Sequence, residues 1–285
     1  MDFISGLRPL TSALLFWDPS PVVFTIPGIG FAVRWYSLFF AAGFLLGYFL
    51  VRRALERRIS RREATVLTDR MAWFVVGGTI VGARLGHVFF YDWTIYYRHP
   101  EAIFKIWEGG LASHGGVVGV LLGLLLFRAW MRKRYPTLTF LTLLDALALP
   151  AALVACCIRL GNFFNQEILG TPSSVPWAVV FGHPSDGSAP QPVHPTQLYE
   201  AVFYLAIFGL ALAVWKRLTR PGQLSGLVLT LIFGFRFCIE FLKAPQALTD
   251  GEGLLVMGQL LSIPCVIFGL ILLSGRLQRL RNSQH

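Results

Sequence analysis

Residues 138–160 read LTFLTLLDALALPAALVACCIRL, an apolar run in which Asp145 and Arg159 are the only charges. A helix that long reaches across the hydrocarbon core of a bilayer, which takes about 20 mostly apolar residues. Working outward, six further runs of that kind are bounded by charge, Gly or Pro: Phe31 to Arg52, Met71 to Tyr91, Gly115 to Met131, Thr196 to Trp215, Gly222 to Leu242 and Leu254 to Ser274. The third of the seven is short enough to be partly re-entrant. The expected fold is all-α, a polytopic membrane helix bundle with about seven transmembrane helices.

Composition agrees. The chain has 285 residues, 55% of them hydrophobic and 14% charged, with a mean hydropathy of +0.60, more apolar surface than one soluble core can bury. Disordered, collagen-like and disulfide-scaffold classes are excluded, because Leu, Val and Phe are abundant, Gly has no period and Cys is scarce. Cys156, Cys157, Cys238 and Cys265 lie inside apolar runs without metal-site spacing and read as small buried hydrophobes. The net charge of +10 does not imply a nucleic-acid partner, since the basic residues fall in short clusters between the apolar runs, as the positive-inside rule requires.

Those clusters set an orientation. Of the 25 Lys and Arg, 17 follow the first, third, fifth and seventh runs, among them Arg52 to Arg70 and Arg276 to Arg281. The opposite side has only Arg8, Arg98, Lys105 and Lys243. The N-terminus is therefore expected on the periplasmic side and the C-terminus in the cytoplasm. Residues 1–30 form an N-terminal periplasmic or interfacial segment, 31–275 the seven-span domain and 276–285 a basic cytoplasmic tail. The first sixteen residues lack a basic start and a small-residue cleavage site, so an interfacial helix is expected rather than a removable signal peptide. Residues 162–195 carry no Lys or Arg and six prolines from Pro172 onward, and read as an ordered periplasmic arm.

Arg34, Arg84, Arg159 and Arg236 fall within or at the ends of spans, where a cation is costly and marks a partner or a site. Arg159, Asn162, Asn165, Gln166 and Glu167 form the densest polar cluster, RLGNFFNQEILG. If the helix continues, Arg159, Asn162 and Gln166 share a face, with Gly161 and Gly170 allowing a close approach or a helix end. This group suits a lipid head group or, in the plainer reading, an interfacial salt bridge. In GFRFCIEFLK, Arg236, Glu240 and Lys243 make one stripe of cation, anion and cation. The pair can neutralise itself, or Arg236 can share a phosphate with Arg159 through planar guanidinium forks. His114 stands among four glycines in GGLASHGGV and can act as a base, although a lone His is more often structural. His194 reads as part of the turn into the fifth span, with Gln197 and Glu200 as first-turn residues. Tyr36 doubles as an aromatic-belt residue. Arg84 and Asp145 pair with each other or with the site. Walker, nucleophile-elbow, zincin and dinucleotide motifs are absent, and the carboxylates form no array for Mg²⁺; no metal and no cofactor is expected.

At these blocks the sequence resembles the prolipoprotein diacylglyceryl transferases. RLGNFFNQEILG resembles that family's signature, and GGLASHGG, HPTQLYE, FRFCIEF and MGQLLSIP match its other blocks in order, from about Pro27 to Leu273. The resemblance implies a seven-span bacterial inner-membrane enzyme that moves the diacylglyceryl group of phosphatidylglycerol onto the lipobox cysteine thiol of a prolipoprotein signal peptide and releases glycerol phosphate. By motif it implies Tyr36, His114, Arg159 and Arg236 as catalytic, and Asn162, Glu167, Gly170 and Glu240 as substrate-binding. Lys243 joins them as a point charge where the family pattern leads one to expect a second arginine. Two other readings compete: a transporter or lipid-binding scaffold, which would also place buried arginines along a cavity, and an intramembrane hydrolase using Ser113 and His114.

Overall fold

The computed structural model describes residues 15–28, 30–244 and 255–275. Among these, seven helices are long and apolar enough to cross a membrane. They are α1 (Trp35–Leu55), α2 (Arg61–Phe90), α4 (Ser113–Met131), α5 (Phe140–Phe164), α6 (Thr196–Val214), α7 (Gln223–Ile239) and α8 (Met257–Ser274), with a short α3 (Trp93–Arg98) between α2 and α4. Side chains such as Leu45, Phe49, Val81, Leu126 and Ile267 face outward on these helices, the surface that acyl chains cover in a bundle. The cysteines are free; Cys156 and Cys157 are buried as expected, whereas Cys238 is exposed.

Two span boundaries are set by features other than hydropathy. The first span begins at Trp35, because Phe31–Arg34 is a strand, β3, paired antiparallel with β2 (Val22–Ile26). The second begins ten residues early, at Arg61, where Ser60 and Glu63 cap each other's backbone N–H in a capping box. The helix is thus stabilised at a charged end that hydropathy alone discounts. The chain is also not purely helical: β1 (Leu15–Trp17) pairs parallel with β4 (Val179–Phe181), which pairs antiparallel with β5 (Pro192–Val193). The interfacial helix expected over the first sixteen residues falls mostly outside the described residues, and where they begin, Leu15 and Phe16 are extended. The basic tail also lies outside them.

Contacts divide the chain into two compact units, Met1–Gly47 with Ala148–His285, and Tyr48–Leu147; α1 and α5 each contribute to both. In the Tyr48–Leu147 unit the core gathers Leu55, Leu67, Met71, Leu124, Phe127, Leu138 and Leu143. Helices α2 and α4 meet there along facing glycines, Gly78, Gly82 and Gly86 against Gly115, Gly119 and Gly123. A β-carbon on Gly82 would come within 2.7 Å of the Gly119 Cα, and one on Gly119 would run into the Gly78 carbonyl. Apolar side chains gain little by leaving lipid for a neighbouring helix, so close backbone approach of this kind supplies the association energy. Gly119→Val is expected to destabilise the protein by about 1–3 kcal/mol, read as a lower unfolding temperature in detergent. Gly77→Val is the control, since its β-carbon meets open space; equal losses in both variants would refute the seam.

In the other unit, α7 and α8 approach in the same way at Gly226 and Gly269. The arm packs Phe163, Leu169, Val179, Phe181 and Val193 into a small core with Trp17. Trp17 also donates its indole N–H to the Phe163 carbonyl at 3.1 Å, a second bond beside that from the Gln166 N–H at 3.2 Å, where α5 ends.

Candidate active site

The site grows from the end of α5. That helix stops at Phe164, and Gln166 and Ile168 both take left-handed backbone angles, φ +54° and +58°, an uncommon state for residues other than Gly. The chain therefore turns sharply on both sides of Glu167 and brings its carboxylate back to the helix. Asn162 donates to Glu167 Oε2 at 2.8 Å and Asn165 to Oε1 at 3.0 Å. The backbone N–H of Glu167 returns to the Asn162 carbonyl at 2.9 Å, and Gln197 donates to the Glu167 carbonyl at 2.6 Å. Because the helix ends here, Gln166 does not share the face of Arg159 and Asn162. It turns to the arm instead, donating to Asp18 at 3.1 Å and accepting from the His183 backbone at 2.7 Å. Hydrogen bonds from His183 and Gln166 hold the Asp18 carboxyl below the usual aspartate range.

Arg159 donates to Asn162 Oδ1 at 3.3 Å and its Nε lies 3.1 Å from Glu200 Oε2. Glu200, on α6, is completely buried and is the residue that sequence reasoning missed. The same oxygen faces Lys243 Nζ at 3.3 Å, and Tyr204 donates to its other oxygen at 3.0 Å. Lys243 also reaches Glu240 Oε1 at 3.1 Å, and that oxygen lies 3.7 Å from Arg236 Nε. The stripe expected at the end of α7 is present, carried past Ile239 by a 3-10 turn over Glu240–Leu242. One continuous chain of charge therefore runs Arg236, Glu240, Lys243, Glu200, Arg159, then through Asn162 to Glu167. Burial, helped by the Arg159 charge, holds the Lys243 ammonium below the ordinary lysine range against the opposing pull of Glu200 and Glu240.

The glycines at the site act through space. A β-carbon on Gly170 would strike the His194 carbonyl, and there the chain bridges to Lys243 on its other side. Thr171 N–H donates to the Leu242 carbonyl at 2.8 Å, and Ala244 N–H to the Leu169 carbonyl at 3.0 Å. Gly170 thus lets the arm lie close beside the residue bearing the Lys243 ammonium. Gly161 plays the same part for Tyr36, whose ring occupies the space of its missing β-carbon, and Gly258 does so for the Glu240 carboxyl.

Three cations and three carboxylates meet in this unit, with unequal exposure. Lys243 and Glu200 are sealed in, with 3% and 0% of their side chains accessible, whereas Arg236 keeps 37%. The sealed members hold one another, and Arg236 is the most accessible of the three cations. His114 belongs to the Tyr48–Leu147 unit, exposed at the start of α4 with the rings of Phe90 and Tyr91 at 5.4 and 5.8 Å. The motifs thus bring together Tyr36, Arg159, Asn162, Glu167, Gly170, Arg236, Glu240 and Lys243 in one unit. His194 receives Tyr199 as a 3.2 Å neighbour at the start of α6. Arg84 takes main-chain carbonyls of its own unit. Among the described residues no group of three His, Cys, Asp or Glu is gathered to hold a metal ion.

Seven helices long and apolar enough to cross a membrane, with a buried network of paired charges in the unit that holds α6 and α7, define a polytopic membrane protein. Residues 21–274 match the family model described as prolipoprotein diacylglyceryl transferase. A phosphatidylglycerol–prolipoprotein diacylglyceryl transferase from Tolumonas auensis is 45% identical over 91% of this chain and 96% of its own length. Proteins of the same name from Chloroherpeton thalassium and Protochlamydia amoebophila are 43% and 37% identical, covering 92% and 91% of the chain and 94% of each relative. The chain belongs to the prolipoprotein diacylglyceryl transferase family, and it is an enzyme of that family, a transferase of lipoprotein biosynthesis.

Proposed function

We propose that this protein transfers the diacylglyceryl group of phosphatidylglycerol to the lipobox cysteine of a prolipoprotein signal peptide at the outer face of the bacterial inner membrane, with its N-terminus periplasmic and its C-terminus cytoplasmic. The observation that carries the reading is the run of charge from Arg236 to Arg159 across Glu240, Lys243 and Glu200. The family relationship supplies the substrates, and the lysine and arginine bias supplies the orientation.

In the reaction the thiol gives its proton to a base and the thiolate attacks the glyceryl carbon that carries the phosphate ester. A C–S bond forms as the C–O bond to phosphate breaks, and glycerol phosphate leaves with the bonding pair. Negative charge grows on the departing phosphate, so preorganised cations in a low-dielectric site lower the barrier without reorganising. Arg236 meets the phosphate, Arg159 adds its charge, and Glu200 and Glu240 hold the cations in place. Asn162 and Glu167 fix the end of α5, Gly170 admits the arm, and Tyr36 lines the approach beside Gly161. A thiol with an ordinary pKa near 8.5 is mostly protonated at neutral pH and needs a base, a role for which we take His114 from the family resemblance.

Purified protein in detergent, given phosphatidylglycerol and a lipobox peptide, should yield by mass spectrometry a peptide enlarged by one diacylglyceryl group. Recovery of unaltered lipid and peptide from folded protein would overturn the reading and favour lipid binding or transport.

A further inference from the structure

Arg84 sits near the end of α2 with 4% of its surface accessible. A guanidinium carries five N–H donors, and each has a main-chain acceptor here. Nε donates to the Ile103 carbonyl at 2.9 Å, Nη1 to Gly109 at 2.6 Å and Gly110 at 3.1 Å, and Nη2 to Ala102 and to Lys105 at 3.2 Å. The Tyr96 ring lies 5.0 Å from its central carbon. All five acceptors belong to residues 102–110, which join α3 to α4 through two short 3-10 turns. The segment's own backbone bonds are those of short 3-10 turns, such as Lys105 N–H to the Ala102 carbonyl at 3.1 Å and Gly109 N–H to the Ile106 carbonyl at 3.4 Å, and Arg84 ties the two turns and the glycines after them to one point.

The segment ends where α4 begins. Gly109 and Gly110 take φ +92° and +69°, and a β-carbon on Gly110 would come within 2.7 Å of Arg84 Nη1 and 3.2 Å of the His87 ring. Ala112 N–H donates to the Ala83 carbonyl at 2.9 Å, Ser113 opens the helix and His114 follows. Residues 83, 84, 86, 87 and 90 of α2, with Tyr91 that caps it, thus fix the loop, the helix start and the rings around His114. The α2–α4 seam itself is glycine backbone, and the Arg84 hydrogen bonds given above all go to the loop.

We infer that Arg84 is a positioning residue, a buried cation that moulds the 102–110 segment and so sets the placement of the His114 imidazole. The inference rests on the reading of His114 as the base. Misplacing a reacting group by about 1 Å costs on the order of 10²-fold in rate. Arg84→Gln is therefore expected to lower kcat by about 10²-fold while KM for phosphatidylglycerol stays within about twofold. Gly110→Ala displaces the same loop without touching Arg84 and should act alike, which keeps the test open if Arg84→Gln does not fold.

Two readouts separate positioning from general destabilisation. Deuterium uptake should rise over 102–114 and remain unchanged over 61–80 and 120–131. In a His114→Gln background, Arg84→Gln or Gly110→Ala should cost less than about threefold, because residues that act through one another are not additive. If His114→Gln alone leaves kcat intact, the base assignment falls and the inference with it. If His114→Gln is costly and the Arg84→Gln loss multiplies it in full, His114 stands as the base and the positioning role of Arg84 is overturned.

Discussion

Arg159→Ala should leave a protein that inserts and purifies normally and transfers the diacylglyceryl group about 10³-fold more slowly, at the upper end of what losing one preorganised charge-stabilising donor costs. The fold tolerates the change because Glu200, the residue left behind, still faces Lys243 at 3.3 Å and accepts from Tyr204 at 3.0 Å. The loss therefore falls on the reaction. It should appear in single-turnover rates with saturating lipid and peptide, since an interaction that strengthens as phosphate departs lowers kcat and kcat/KM together. Arg236→Ala should match it, with a loss of lipid affinity in addition, since its side chain is the most accessible of the three cations. Arg159→Lys should restore only part of the rate: an ammonium supplies charge without the fork that spans Glu200 and Asn162. Wild-type turnover in either alanine variant would remove charge stabilisation from the mechanism.

What could be read in advance divides along physical lines. The spans were legible because a bilayer demands one property of some twenty consecutive residues, and that demand is written locally. The ends were not, since capping and pairing decide them: Ser60 and Glu63 draw α2 outward to Arg61, and the 22–34 hairpin holds Phe31–Arg34 in a strand that hydropathy assigns to a helix. Gln166 was misplaced because a shared face presumes a continuing helix, and the left-handed turn at that residue lies beyond periodicity. Arg84 and Asp145, as charges inside apolar runs, invite pairing with each other or with the site, whereas Arg84 is satisfied by backbone carbonyls that no side-chain pattern reveals. Glu200 reads from its position as a first-turn residue of the fifth span. The signal was present all the same, for Glu200 is the only charge in the nineteen residues of α6, and an ionisable group at membrane depth implies a partner.

That partner set makes Glu200 the residue on which stability turns. Glu200→Gln keeps size, shape and the acceptor for Tyr204 while deleting the charge, so Arg159 and Lys243 lose their shared counter-ion at a point where no side-chain surface of Glu200 reaches solvent. Breaking one side of a buried ion pair costs about 3–5 kcal/mol, because the remaining charge stays desolvated. The variant should unfold at markedly lower temperature in detergent and lose transfer activity as Arg159 swings free. Lys243→Met provides the decisive comparison. Lys243 keeps Glu240 at 3.1 Å in Glu200→Gln, but the network then holds three cations against two carboxylates; adding Lys243→Met removes the excess positive charge, so the double variant should be more stable than Glu200→Gln alone, a coupling of opposite sign to simple accumulation of damage. Arg159 remains uncompensated in that protein, and activity should therefore stay low even as stability returns. A Glu200→Gln protein within about 0.5 kcal/mol of wild type, the range of ordinary surface changes, would show that the network is held by something other than its central carboxylate.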